Sequence, residues 1–256
     1  MPTADDVARR IVAQHADRER FEPLAPELQD LSFAYAVQDR LIEIWAAAGR
    51  AIAGWKIGLT TPRMQAMCGV SQPILGAIFA DSVFRSGHVQ TVADHVRAGL
   101  EMELAVEVGD ALPADATRAD AAARIAALAA SYELIEDRAA DYATLDACSL
   151  VADNSWNAGI VLGEPTSLPD LDGLLSRQGT LELDGAIVDR GLVRDAGGDP
   201  IEVVAWAART LAARGHQIKA GQWIMTGSLV PTRFPRPGEQ YRFTIDGLDP
   251  VVLDAA

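Results

Sequence analysis

Two glutamates one residue apart, Glu101 and Glu103, stand inside an apolar run, LEMELAVEVG, at residues 100 to 109. Read with the two-residue period of a β-strand, Leu100, Met102, Leu104, Val106 and Val108 share one face. Glu101, Glu103, Ala105 and Glu107 share the other. Glutamate is disfavoured in strands and like charges on one face repel, so a cation between the carboxylates would remove the conflict. Carboxylate oxygens are the donors that Mg²⁺ and Mn²⁺ prefer, and these ions keep positions open for water or substrate oxygens. The same alternation also describes a half-exposed strand with an acidic outer side. A third acid, Glu133, lies in a second short apolar run, SYELIEDR at 131 to 138, between Tyr132 and Leu134-Ile135. Burial is expected there, and a buried carboxylate without a partner is costly. On residue types and spacing alone, the metal reading and the acidic-strand reading both stand.

The elements that must position these acids are legible as a change of texture near residue 50. Before it the chain reads as helical. Val7, Ile11 and Val12 fall on one side of a helix from Asp5 to about Ala16, and Ser32 offers an N-cap before FAYAVQDRLIEIWAAAG, ending at Gly49. From Ala51 short apolar runs such as AIAGWKIGL, PILGAIFA and LELDGAIV are punctuated by Gly, Pro and Asp, which predicts strands and tight turns. Asp184-Gly185 is a two-residue hairpin signal. Two helices are expected within this part, the alanine-rich TRADAAARIAALAAS at 117 to 131 and DPIEVVAWAARTLAARG at 199 to 215. QWIMTGSLV, QYRFTI and PVVLDA predict three further strands. The expectation is one α+β domain over residues 1–256, with a helical N-terminal segment (1–50) and a β-rich catalytic core (51–256).

Composition narrows the partners. A net charge of −14 repels phosphates and anionic lipid, which argues against nucleic acid or a membrane surface as partner. No stretch approaches the ~18 apolar residues of a membrane span. Cys68 and Cys148, 80 residues apart, fit a reducing cytoplasm rather than a disulfide framework. His15, His88, His95 and His216 show no metal-ligand spacing, and there is no G-x-S-x-G nucleophile elbow.

Seven segments, in order, span nearly the whole chain: AYAVQ (34 to 38), GWKIGLT (54 to 60), GVSQPILG (69 to 76), LEMELAV (100 to 106), YELIEDR (132 to 138), VADN (151 to 154) and AGQWIMTGSL (220 to 229). Through them the chain resembles the fumarylacetoacetate hydrolase superfamily, in its 2-oxopent-4-enoate hydratase and 4-oxalocrotonate decarboxylase branch. The resemblance implies a mixed β-roll core and an Mg²⁺ or Mn²⁺ ion held by Glu101, Glu103 and Glu133. It implies Lys56 as catalytic acid/base, flanked by Trp55 and Ile57 rather than by solvent-facing residues. Gly227 and Ser228 of the TGSL turn, with Asn154, Arg138 and Ile74, are the expected substrate-binding residues. A homo-oligomer is implied as well, with a partner enzyme of aromatic catabolism as a further expected associate.

The chemistry implied is that of a lyase acting on a small 2-oxo acid. A hydratase would add water to a 2-hydroxypenta-2,4-dienoate and give a 4-hydroxy-2-oxo acid. A decarboxylase would release the distal carboxylate of a 2-oxo-3-enedioate as CO₂. Hydratases of the branch usually carry an aspartate where Ile74 follows Pro73, a departure that resembles the decarboxylases, whereas the TGSL turn resembles the hydratases. Hydration is the expected reaction. A reading of another class is a catalytically silent assembly partner, which need not retain the three glutamates and Lys56 together. C–C bond hydrolases of the superfamily use a histidine–glutamate pair from an added helix, and His15 with its neighbouring acids is the place where such a pair could arise.

Overall fold

A computed structural model describes residues 2–24, 27–28, 30–167 and 171–256. Helix α1 (Ala4–Ala16) opens on a capping box in which Thr3 and Asp6 satisfy each other's backbone N–H. Helix α2 (Leu31–Ala47) begins before the expected Ser32 cap, because the Asp30 side chain accepts from the N–H of Phe33. Val7 and Ile11 of α1 pack against Val37 and Leu41 of α2, as their helical spacing requires. The pair is clasped to the rest of the chain by polar contacts. The peptide N–H of Phe21 donates to the carbonyl of Arg138 at 2.8 Å, and that of Leu24 to Ser149 Oγ at 2.8 Å.

In chain order the strands are β1 (Ile52–Gly58), β2 (Ile74–Phe79), β3 (Val83–Arg85), β4 (His88–Gln90), β5 (Ala98–Val108) and β6 (Ile125–Glu136). They continue as β7 (Asn157–Leu162), β8 (Gln178–Leu183), β9 (Ala186–Leu192), β10 (Trp223–Ser228), β11 (Gln240–Ile245) and β12 (Val251–Ala255). Seven form a mixed sheet in the order β2-β1-β10-β5-β6-β7-β3, with β1–β10 and β3–β7 parallel. Five form a second sheet, β4-β12-β11-β8-β9. The short helices α3 (Pro62–Met67), α4 (Arg118–Ala122) and α5 (Ala147–Ala152) and the longer α6 (Pro200–Ala212) complete an α+β fold.

The apolar face read for residues 100 to 108 is turned into the main core. Leu100, Met102, Leu104 and Val106 join Leu128, Tyr132 and Leu134 of β6 in one cluster with Phe243 and Leu253 of the second sheet. The hairpin at Asp184-Gly185 forms as expected, both residues having positive φ (51° and 78°).

One expected element is different. The alanine-rich stretch at 117 to 131 is helical only in α4, to Ala122, and from Ile125 it becomes the 12-residue strand β6. Residues 127 to 135 are all buried, and β6 pairs along its length with β5 and over its second half with β7. A strand covered on both faces has no polar alternation, so its apolar run looks like a buried helix. Pairing on both edges then overrides alanine's helix propensity.

Candidate active site

The sheet register brings the three acids together. Glu101 on β5 lies directly opposite Glu133 on β6, and Glu103 pairs with Ser228 at the end of β10. One oxygen from each of Glu101, Glu103 and Glu133 falls within 4.8 Å of the others. Glu103 and Glu133 are fully buried, and Glu101 is half-buried. Lys56, buried on β1, places Nζ 3.2 Å from Glu133 Oε1.

Each carboxylate has one anchored side. Glu133 Oε1 also accepts from Asn157 Nδ2 at 2.9 Å, Glu103 Oε2 from the peptide N–H of Gly227 at 2.8 Å, and Glu101 Oε1 from Thr232 Oγ1 at 2.9 Å. Glu103 Oε1 and Glu133 Oε2 are buried with no hydrogen-bond partner among the described residues. Two orphaned carboxylate oxygens among three crowded anions are costly as they stand. Burial pushes Glu103 well above the usual carboxylate range, with Glu133 and Glu101 adding to the effect, and burial lifts Glu133 to about 7. A hard divalent cation fits this all-oxygen donor set, because it would supply the partner that both orphaned oxygens lack.

Burial works to lower the pKa of Lys56, but the carboxylates of Glu133, Glu101 and Glu103 outweigh it and hold the ammonium above its ordinary value. A lysine titrating near neutrality requires that the charge of those glutamates be balanced first.

Glu101 and Glu103 line a cavity of about 740 Å³, together with Lys56, Ile74, Gly227 and Ser228. Ser228 ties down the turn: its Oγ accepts from the N–H of Met102 at 3.0 Å and donates to the carbonyl of Val230 at 2.8 Å. Gly227 is required twice, by a φ of 106° and by Thr60 Oγ1 and the Ala196 carbonyl, each 2.7 Å from where a β-carbon would sit.

Asn154 and Arg138, expected to touch substrate, do not line the cavity. Both edges of the Asn154 amide are bonded to the backbone of Ala77 in β2, at 2.7 and 2.9 Å. Arg138 is drawn away by Asp153, at 2.6 Å from its Oδ2, and by the carbonyl of Glu19. His15 lies 2.6 Å from the other Asp153 oxygen and is likewise outside the cavity lining, so it forms no catalytic pair with an acid there.

What Asn154 holds is an unusual turn. Asn154, Ser155 and Trp156 have φ of 49°, 51° and 60°, three successive residues in the left-handed region. Ser155 Oγ donates to the carbonyl of Leu75 at 2.9 Å, and the glycine at Gly76 allows the Asn154 carbonyl to approach β2. The result puts Ser155 and Trp156 on the cavity wall. Asn157 and Thr232 join the site without any signal in the sequence. They lie at a strand start and in a loop, where no periodicity marks them.

The family model described as "Fumarylacetoacetate (FAA) hydrolase C-terminal" matches residues 64–252. A 2-keto-4-pentenoate hydratase of Paraburkholderia phymatum is 33% identical over 252 residues, covering 96% of this chain and 95% of the relative. A 2-oxo-hept-4-ene-1,7-dioate hydratase of Escherichia coli is 28% identical over 92% of this chain and 91% of its own length. The solved 4-oxalocrotonate decarboxylase of Pseudomonas putida G7, complexed with magnesium and adipate, superposes with a TM-score of 0.91 at 27% identity, over 99% of this chain and 97% of that one. Register, carboxylate cluster and these similarities agree: the chain belongs to the fumarylacetoacetate hydrolase family.

Proposed function

We propose that the protein is a lyase dependent on Mg²⁺ or Mn²⁺ that hydrates a 2-hydroxypenta-2,4-dienoate-like acid to a 4-hydroxy-2-oxo acid. The observation that carries the reading is the pair of orphaned buried oxygens on Glu103 and Glu133, with Lys56 beside Glu133 and with Lys56 and Glu103 both on the cavity lining. A cation bound there supplies Lewis acidity toward the 2-oxo oxygen and the adjoining carboxylate. In the overall reaction the 2-hydroxyl loses its proton and C5 gains one. The hydroxyl of water adds at C4 and its remaining proton at C3. Lys56 Nζ is the proton carrier of the site, and Glu133 and Asn157 fix its surroundings.

Decarboxylation is the second reading, and Ile74 favours it. Ile74 is buried on the cavity wall with no water-activating group of its own, and the similarity to the decarboxylase covers almost the whole chain. The two reactions are separated by offering 2-hydroxypenta-2,4-dienoate and 2-oxohex-3-enedioate with Mg²⁺ or Mn²⁺. Loss of dienoate absorbance without CO₂ is expected; CO₂ release from the dioate alone would replace hydratase by decarboxylase. A protein that binds neither ion would be the silent partner instead.

A further inference from the structure

The cavity is far larger than a five-carbon acid needs: about 740 Å³ is the range that houses drug-sized ligands. Away from the carboxylates one continuous part of its wall is apolar. Ile74, Ile135, Leu145, Leu150 and Trp156 line it and belong to one continuous hydrophobic cluster, and Met64 and Met67 of α3 extend the lining. Ile135 follows Glu133 by two residues on the same face of β6, so the apolar wall begins about 7 Å along the strand from the metal-type cluster.

Two polar groups beside this cluster, Tyr142 and Ser155, are already committed. Tyr142 Oη donates to Asp137 Oδ2 at 3.0 Å and Ser155 Oγ to the Leu75 carbonyl. Cations close by face elsewhere: Arg97 makes a double contact with Asp137, and Arg138 bonds Asp153. Apart from Lys56, the one cationic residue of the lining among the described residues is Arg63, exposed on α3. The buried Trp156 indole N–H has no acceptor among the described residues, and the strained turn at 154 to 156 holds that ring on the wall. An ionised carboxylate placed among Ile74, Ile135, Leu145, Leu150 and Trp156 would lose its hydration and find only the Trp156 indole N–H as a side-chain donor of those five.

We propose that this wall reads the tail of the substrate, and that the chain acts on 2-oxo or 2-hydroxydienoic monoacids bearing an apolar substituent while discriminating against dioates. Ile74, Ile135, Leu145, Leu150 and Trp156 are the residues that set the specificity. The proposal rests on the 2-oxo acid reading of the site, and it separates this chain from the decarboxylase solved with adipate.

The test is calorimetric binding, in the presence of Mg²⁺, of four unreactive acids: 2-oxopentanoate, 2-oxohexanoate, 2-oxooctanoate and 2-oxoadipate. Affinity should rise about fourfold for each methylene added. 2-Oxoadipate, which replaces the terminal methyl of 2-oxohexanoate by a carboxylate, should bind at least about 100-fold more weakly. Equal or tighter binding of 2-oxoadipate, or affinity independent of tail length, overturns the proposal and leaves the 2-oxo acid reading intact. If Arg63→Ala then abolishes a preference for 2-oxoadipate, Arg63 is the dioate receptor. Failure of all four acids to bind removes the 2-oxo acid reading and this proposal together. Leu145→Arg should reverse the ranking of 2-oxoadipate and 2-oxohexanoate. Should that variant not fold, Met67→Ala, at an exposed position of the lining, should reduce the gain from 2-oxohexanoate to 2-oxooctanoate.

Discussion

The two sheets are built by different rules. In the second sheet, β11 and β12 alternate between buried and half-buried residues, and the edge strand β9 exposes Ile187 and Val188. In the seven-stranded sheet, β2 is buried throughout, and β5 is buried at all but two of its eleven positions. A sheet that is half in water tolerates charge anywhere on its outer face. In the seven-stranded sheet each buried charge needs a partner: Lys56 and Glu133 pair, while Glu103 keeps one oxygen with none among the described residues. The candidate site is marked by charge where the fold has least room for it.

Four substitutions would break or sharpen that contrast, from the largest effect to the smallest. Lys56→Met removes the buried cation of the seven-stranded sheet, and turnover should fall about 10²–10⁴-fold while the circular dichroism spectrum is retained. Unchanged turnover would take Lys56 out of the chemistry. Leu104→Ala, at a position with no exposure on β5, should cost about 2–5 kcal/mol in urea unfolding.

Glu103→Gln tests the buried carboxylates through pH. Their folded pKa values are raised, so the metal-free folded state holds protons that the unfolded chain has released. The contribution of these two groups to stability is therefore fully present below the ordinary carboxylate range and is lost as pH rises, through about 7 for Glu133, at about 1.4 kcal/mol per pH unit for each proton held. The variant should flatten that slope and bind Mg²⁺ less tightly; an unchanged slope would mean that Glu103 is ionised in the metal-free fold. Ile187→Ala, on the exposed edge strand, should change stability by less than about 0.5 kcal/mol. A larger loss would show that the β9 face is covered in solution.

The same contrast explains which parts of the fold and site are legible in the sequence. Strands β11 and β12 and the Asp184-Gly185 turn announce themselves by alternation and by turn chemistry. The strand face carrying Glu101 and Glu103 is legible for the same reason, since acids alternate with Leu100, Met102 and Leu104. Strand β6 is not, because a run of small apolar residues carries no period when both faces are covered. Asn154 and Arg138 lie in the matching motifs, and only packing shows that their side chains brace β2 and the N-terminal helices rather than face the cavity. Thr232 and Asn157 act from a loop and a strand end, where a side chain's target depends on tertiary register alone.

The clasp between the N-terminal helices and the chain beyond β6 has a consequence for motion. Asp153, almost completely buried, is shared by Arg138 and His15, and Arg138 in turn bonds the Glu19 carbonyl. Detaching α1 would expose this charged pair and the backbone contacts of Phe21 and Leu24 together. The amide protons of α1 should therefore exchange with deuterium at the slow rate of β5 and β6, not at the rate of a frayed terminus, so that the helical segment and the strands bearing the glutamates open in one step.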